Sequence, residues 1–319
     1  MIKAFIFFTI GLVFLIKGGD WFVDGATGIA KKFNIPEILI GATVVSIGTT
    51  LPEVMVSAGA AMTGHSEIAY GNAIGSIICN TALISALTIA VSPSIINKKT
   101  LIKPVFFFFI AALYYVLNSY IFKGFSRLSG IILLLMFVIY MIIIVIDAKK
   151  EISSSKEEKS NDENLLKDVL LLVIGAILIA LGAKLLVDNG TLIAEGLGVP
   201  ESVIALTMVA LGTSLPELVT AISSLRKGRG LLSLGNIIGA NLFNLVLVNG
   251  VAATVAPYHI PENYTRTGLN MTLAVELPVM VFVMMALVLP GMLRGKLTRV
   301  QGIVLLAVYV GFCVFQFTC

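Results

Sequence analysis

Charge is scarce in this sequence. Asp, Glu, Lys and Arg make up only 13% of its 319 residues, where a soluble domain carries about a quarter. That composition excludes an ordinary soluble domain, and a net charge of +4 gives no basic surface of the kind nucleic acid requires. Sulfur and imidazole are also rare. Cys79, Cys313 and Cys319 fit no metal-binding spacing and form no disulfide framework; they read as small membrane-core residues. His65 and His259 fall in outer loops. No nucleophile–base pair and no phosphate loop stands out, so neither an enzyme nor a cofactor is expected.

What is present is apolar. Hydrophobic residues make up 58% of the chain, and mean hydropathy is +1.01. Runs long enough to span a bilayer, about 17–25 residues, recur ten times: 4–28, 37–63, 68–95, 102–121, 126–147, 166–192, 201–225, 230–256, 276–293 and 298–317. The first run has only Lys3 as a basic flank and no small-residue cleavage site, so it is expected to be a span and not a removable signal.

The Lys and Arg residues orient these spans. Sixteen of the 22 fall on one set of loops, at 31–32, 98–103, 149–167, 226–229 and 294–299. Four fall on the other: Lys3, Lys123, Arg127 and Arg266. The positive-inside rule then places both termini outside and the polar stretch AKKEISSSKEEKSNDENLLK, from Ala148, in the cytoplasm. This stretch is a flexible linker, too short for a folded regulatory domain.

The chain is also written twice. At an offset of 164 residues, Gly18 meets Gly182, Pro36 meets Pro200 and Thr43 meets Thr207. GTTLPE, from Gly48 to Glu53, meets GTSLPE, from Gly212 to Glu217. GNAIG from Gly71 meets GNIIG from Gly235, and Asn80 meets Asn244. Five spans per copy invert the second copy in the membrane, the plan of secondary transporters that bind near the midplane. The expected fold is therefore all-α and integral to the membrane. Its ten helices form two inverted five-helix repeats, 1–147 and 166–319, joined by the linker 148–165.

The doubled motif is unusual chemistry for a membrane. Pro52 has no N–H and clashes with the carbonyl four residues back, at Gly48. A break is expected there, with carbonyls from Ser46 to Thr49 left in need of partners. Thr49 and Thr50 add hydroxyls, and Glu53 adds a carboxylate one turn on. The second copy offers carbonyls from Ala210 to Gly212, the Thr213 and Ser214 hydroxyls, and Glu217. Asn80, Asn244 and Ser76 add further oxygens. Such a donor set suits a hard cation, and Ca²⁺ takes about 6–8 oxygens. An intramembrane acid costs at least ~2.5 kcal/mol and marks function by default. The competing structural reading is a carboxylate that is protonated or paired with a base, and only Lys17 and Lys184 are basic residues within spans. Asn72 and Asn236 read as interhelical hydrogen-bonding residues.

These residues resemble the Ca²⁺/cation antiporter superfamily, and within it the prokaryotic form of the sodium/calcium exchanger family. GATVVSIGTTLPEVMVS with GNAIGSIICN, and ALTMVALGTSLPELVTA with GNIIGANLFN, look like that family's two alpha-repeats. The resemblance implies exchange of Na⁺ for Ca²⁺ by alternating access, in the cell membrane and as a monomer. It implies four cation positions around Glu53 and Glu217. Ca²⁺ would be held by both glutamates and the Thr49 and Thr213 carbonyls. One sodium position would use Glu53, Ser76, Ala210, Thr213 and Ser214. Its mirror would use Glu217, Ser46, Thr49, Thr50 and position 240, and a middle position Asn80 and Asn244. Spans one and six would slide past the rest. Two departures stand out. Ala240 replaces a Ser common in the family, and Asn244 an Asp that goes with potassium coupling. The alternatives are a proton-coupled divalent or sodium antiporter on the same scaffold, and a cation channel.

Overall fold

The computed structural model describes residues 2–96, 98–154, 165–197, 212–260 and 268–318. Ten helices follow one another: α1 Ile2–Lys32, α2 Glu37–Met62, α3 Ser66–Val91, α4 Lys98–Phe122, α5 Arg127–Ser154, α6 Leu165–Gly196, α7 Leu215–Arg226, α8 Gly230–Val255, α9 Thr272–Arg294 and α10 Arg299–Thr318. Nine are long and apolar enough to span, among the described residues. The expected seventh span, 201–225, is described only from Gly212 onward. Ala210, Arg266, Cys319 and most of the linker lie outside the described residues.

Helix ends follow local chemistry. α1 closes on Lys31 and Lys32, with Asn34 in the left-handed region at φ 49°, a conformation Asn tolerates, before Pro36. The expected break near Pro52 takes a different form. The helix absorbs Pro52 and departs from α geometry about two to three turns earlier, in a π-helical segment over Gly41–Val45. Two more π-helical segments begin on the repeated asparagines, at Asn80–Ser85 and Asn244–Val248. In the second copy the chain turns through Thr213 and Ser214 before α7 starts.

α8 is the central helix: 89% of its most apolar stretch is buried, against 11% for α10. Lipid has no reason to drive apolar helices together, so close backbone approach must do so. Glycines permit it. Gly11, Gly18 and Gly25 on α1, spaced by seven, face Gly182, Gly175 and Asp168 on α6 in an antiparallel seam. A Cβ at Gly11 would stand 2.9 Å from the Gly182 carbonyl oxygen, and one at Gly18 2.8 Å from Leu178 Cβ. Across the repeats, Gly239 on α8 sits against Ala42, where a Cβ would come within 2.6 Å of the backbone.

Loops join only partners expected on one side of the membrane. Among the Lys- and Arg-rich ends, Lys227 pairs with Asp24 at 2.6 Å and Arg229 with Glu37 at 2.5 Å. Lys103 pairs with Asp147, and Ile95 bridges to Lys296. Among the opposite set of ends, β1 Gly124–Phe125 pairs antiparallel with β2 Tyr258–His259. The aromatic run at 106–109 does not all face lipid, as an apolar run invites one to expect: Phe106 is exposed and Phe108 fully buried, because helical periodicity divides them.

The glycine seam can be tested directly. Gly18→Ala is expected to lower stability by about 1–3 kcal/mol through overpacking. Gly311→Ala, with open space around it, should stay within about 0.5 kcal/mol. Thermal unfolding in detergent compares the two.

Candidate functional site

The two GT[ST]LPE motifs meet. Glu53 and Glu217 are fully buried, their carboxyl groups are neighbours, and Thr49 stands beside Glu217. Gly48, Thr49, Pro52 and Pro216 line one crevice together with Phe22 of α1 and Ala176, Ile179 and Ala180 of α6. Both motifs therefore lie directly under the α1–α6 pair.

None of the four carboxylate oxygens has a hydrogen-bond partner among the described residues. Nor do Thr50 Oγ1, Ser76 Oγ, Ser214 Oγ, or either side-chain polar atom of Asn80 and Asn244. All of these residues are buried. Buried polar groups are normally satisfied, and an unpaired buried charge is prohibitively costly. Seven of the eleven residues expected to bind cations thus share the same condition: buried oxygens with no hydrogen-bond partner among the described residues. No base rescues the glutamates. Lys17 and Lys184 are exposed, and Lys184 lies 3.4 Å from Asp188.

The remaining expected residues divide. Ser46 Oγ lies 2.7 Å from Gly41 O and 2.9 Å from Asn236 O, sharing its proton between two carbonyls. Thr49 Oγ1 donates to Asn236 Oδ1 at 3.2 Å. Both hydroxyls are thereby oriented, with their lone pairs still available. Thr213 is half-buried in the turn ahead of α7. Ala240 is fully buried and has only a methyl group to present. Ala210 lies outside the described residues.

The repeated Gly-Asn pairs act between helices, as their residue types suggest. Asn72 on α3 donates to Ser57 Oγ at 2.9 Å and Glu53 O at 3.3 Å, both on α2. Asn236 on α8 accepts from Ser46 and Thr49 in the opposite repeat. Asn72 thus braces its own half while Asn236 reaches across. Other buried polar residues escaped the sequence reading: Thr220, Ser224, Asn241 and Asn249. Their counterparts at the same offset are Val56, Ala60, Ile77 and Ser85, so repetition could not point to them.

Two carboxylates, several hydroxyls and amide oxygens, with no paired base among the described residues, are a donor set that suits a hard cation. If so, Lys17→Gln and Lys184→Gln should leave ⁴⁵Ca binding to the detergent-solubilised protein within about twofold. A tenfold gain in either, as the competing ammonium is removed, would mean that a lysine neutralises the glutamates.

Comparison with known proteins agrees. The family model for sodium/calcium exchanger protein matches residues 3–146 and 167–318, leaving out only the linker and the ends. A membrane protein of Methanocaldococcus jannaschii is 36% identical over 309 residues, covering 95% of each chain. The sodium/calcium exchanger MaX1 of Methanosarcina acetivorans is 31% identical over 361 residues, covering 98% of each. The solved structure of the sodium-calcium exchanger NCX_Mj soaked with 2.5 mM Na⁺ and 10 mM Sr²⁺ matches with a TM-score of 0.82 at 35% identity, covering 97% of both chains. The chain therefore belongs to the sodium/calcium exchanger family, as a multi-pass membrane antiporter of Na⁺ and Ca²⁺ and not an enzyme.

Proposed function

We propose that Na⁺ and Ca²⁺ compete for one midplane site built by Glu53, Glu217, Ser46, Thr49, Thr50, Ser76, Asn80, Ala210, Thr213, Ser214 and Asn244, and that the chain exchanges them by alternating access. The observation that carries this reading is the pair of buried carboxylates with no hydrogen-bond partner among the described residues. Their two formal charges neutralise one Ca²⁺ or two Na⁺. A second load arriving before the first leaves would face cations already in place and no carboxylate to spare. Exchange follows from that exclusion.

In this reading the halves 1–147 and 166–319 are inverted repeats joined by the cytoplasmic linker 148–165. The matching π-helical segments at Asn80 and Asn244 support the equivalence. The chain works as a monomer, because both halves of the site come from one chain. Both termini lie outside the cell membrane, in keeping with the loop pairings and the distribution of Lys and Arg. α1 and α6, seamed through glycine, move as one body over the crevice at Pro52 and Pro216 and open the site to one side at a time. The unequal bonding of Asn72 and Asn236 supports this picture, since one state of such a carrier must hold its two halves differently.

Proteoliposomes loaded with Na⁺ are expected to take up ⁴⁵Ca, and uptake should vanish without the Na⁺ gradient whatever the K⁺ or pH gradient. Uptake driven by pH alone in sodium-free buffer would instead assign proton coupling. Glu53→Gln and Glu217→Gln should each reduce exchange at least a hundredfold. Ala240→Ser restores a hydroxyl at the mirror sodium position and should lower the half-saturating Na⁺ concentration several-fold, with little change for Ca²⁺. One ligand interaction of about 1 kcal/mol corresponds to roughly fivefold.

A further inference from the structure

π-helical segments recur at functional sites, and each leaves an awkward carbonyl at its start. Two of the three near the carboxylates are pinned by the residue that immediately follows them. Ser46 follows Gly41–Val45 and bonds back to Gly41 O at 2.7 Å. Asn249 follows Asn244–Val248, and its Nδ2 donates to Asn244 O at 2.6 Å. The segment Asn80–Ser85 is followed by Ala86, which has no polar side chain. Ser85, the counterpart of Asn249 in the first repeat, bonds to Thr81 O and not to Asn80.

Asn249 is held from its other end. Its Oδ1 accepts from Tyr258 Oη at 2.7 Å and from Tyr115 Oη at 3.3 Å. Two hydroxyl donors on one side and a carbonyl on the other leave a single sensible orientation for the amide. All three residues are buried. Tyr258 belongs to β2 of the outer hairpin, paired with β1. The Phe125 ring of β1 lies 4.5 Å from Tyr115 and 5.6 Å from Tyr258, centroid to centroid. Tyr70 lies 5.5 Å from Tyr115. An outer aromatic cap drawn from α3, α4 and the hairpin therefore converges on one amide. That amide grips the backbone of Asn244, whose own side-chain atoms are buried without partners.

We propose that Asn249 is a positioning residue for the cation site, coupling the outer aromatic cap to Asn244. The inference rests on Asn244 being a cation ligand, as argued above. By fixing the Asn244 carbonyl, Asn249 sets where the Asn244 side chain can reach. A neutral amide oxygen is a larger share of what holds a monovalent ion than of what holds Ca²⁺ between two carboxylates. Loss of the network therefore weakens Na⁺ more than Ca²⁺. The first repeat has no equivalent network, so the two asparagines are not interchangeable.

The test is Na⁺-driven ⁴⁵Ca uptake in proteoliposomes, with half-saturation measured separately for each ion. Asn249→Leu should raise the Na⁺ value about fivefold or more and the Ca²⁺ value less than twofold. Tyr258→Phe keeps the ring, loses one hydrogen bond, and should shift the Na⁺ value about two- to threefold in the same direction. The double variant should match Asn249→Leu alone, because both substitutions act through one amide. A purely structural role would lower thermal stability and leave the Na⁺-to-Ca²⁺ ratio unmoved. An unmoved ratio in Tyr258→Phe overturns the proposal even if Asn249→Leu fails to fold, and so does simple additivity of the two effects. Absence of Na⁺-driven uptake by the unaltered chain would instead overturn the parent reading.

Discussion

Glu53 and Glu217 sit side by side, fully buried in a membrane protein, with no paired lysine or arginine and no hydrogen-bond partner for either carboxylate among the described residues. Two buried, unpaired carboxylates are not a stable end state in a medium of low dielectric. In the reading proposed above, the protein offsets that cost with charge borrowed from its cargo. That constraint explains why the surrounding donors are all oxygen and why so many of them lack partners within the chain. In that reading it also makes the two loads exclude one another. A site neutralised by its own base would be cheaper to fold and would have no need of cations.

The scaffold serves this arrangement by keeping backbone close and carbonyls aimed. Glycines let α1 and α6 meet at backbone distance, and they let α8 press against α2 so that Asn236 reaches Ser46 and Thr49. The π-helical segments put Asn80 and Asn244 at points where the helix is locally reshaped. The segments over Gly41–Val45 and Asn244–Val248 are pinned by the side chain that follows each. Rigid halves and pinned segments fit a carrier that must move as bodies without letting its ligands drift.

Much of this was legible in the sequence. An exact offset of 164 residues makes every repeated polar residue in an apolar run a site candidate, and that is how Glu53, Glu217, Asn80 and Asn244 were found. The interhelical bonds of Asn72 and Asn236 followed from small residues beside an amide. The helix geometry was less legible. Pro52 promised a break at GTTLPE, yet the helix absorbs it and deforms over Gly41–Val45 instead. Local propensity marks a weak point, while packing against α8 decides where it yields. Asn249, Thr220 and Ser224 were invisible because they break the repeat: a residue present in one half only gives no internal echo. Phe108 shows the same limit for burial, since an unbroken run of phenylalanines hides which of them the helix turns inward.

The most direct test of the central claim is equilibrium binding of ⁴⁵Ca to the detergent-solubilised protein over a wide range of Na⁺ concentrations. If both ions depend on the same two carboxylates, the apparent dissociation constant for Ca²⁺ rises with Na⁺ without limit, while the number of Ca²⁺ bound at saturation stays the same. A dissociation constant that levels off at high Na⁺ would mean that the two ions bind together, and the account built on Glu53 and Glu217 would be wrong.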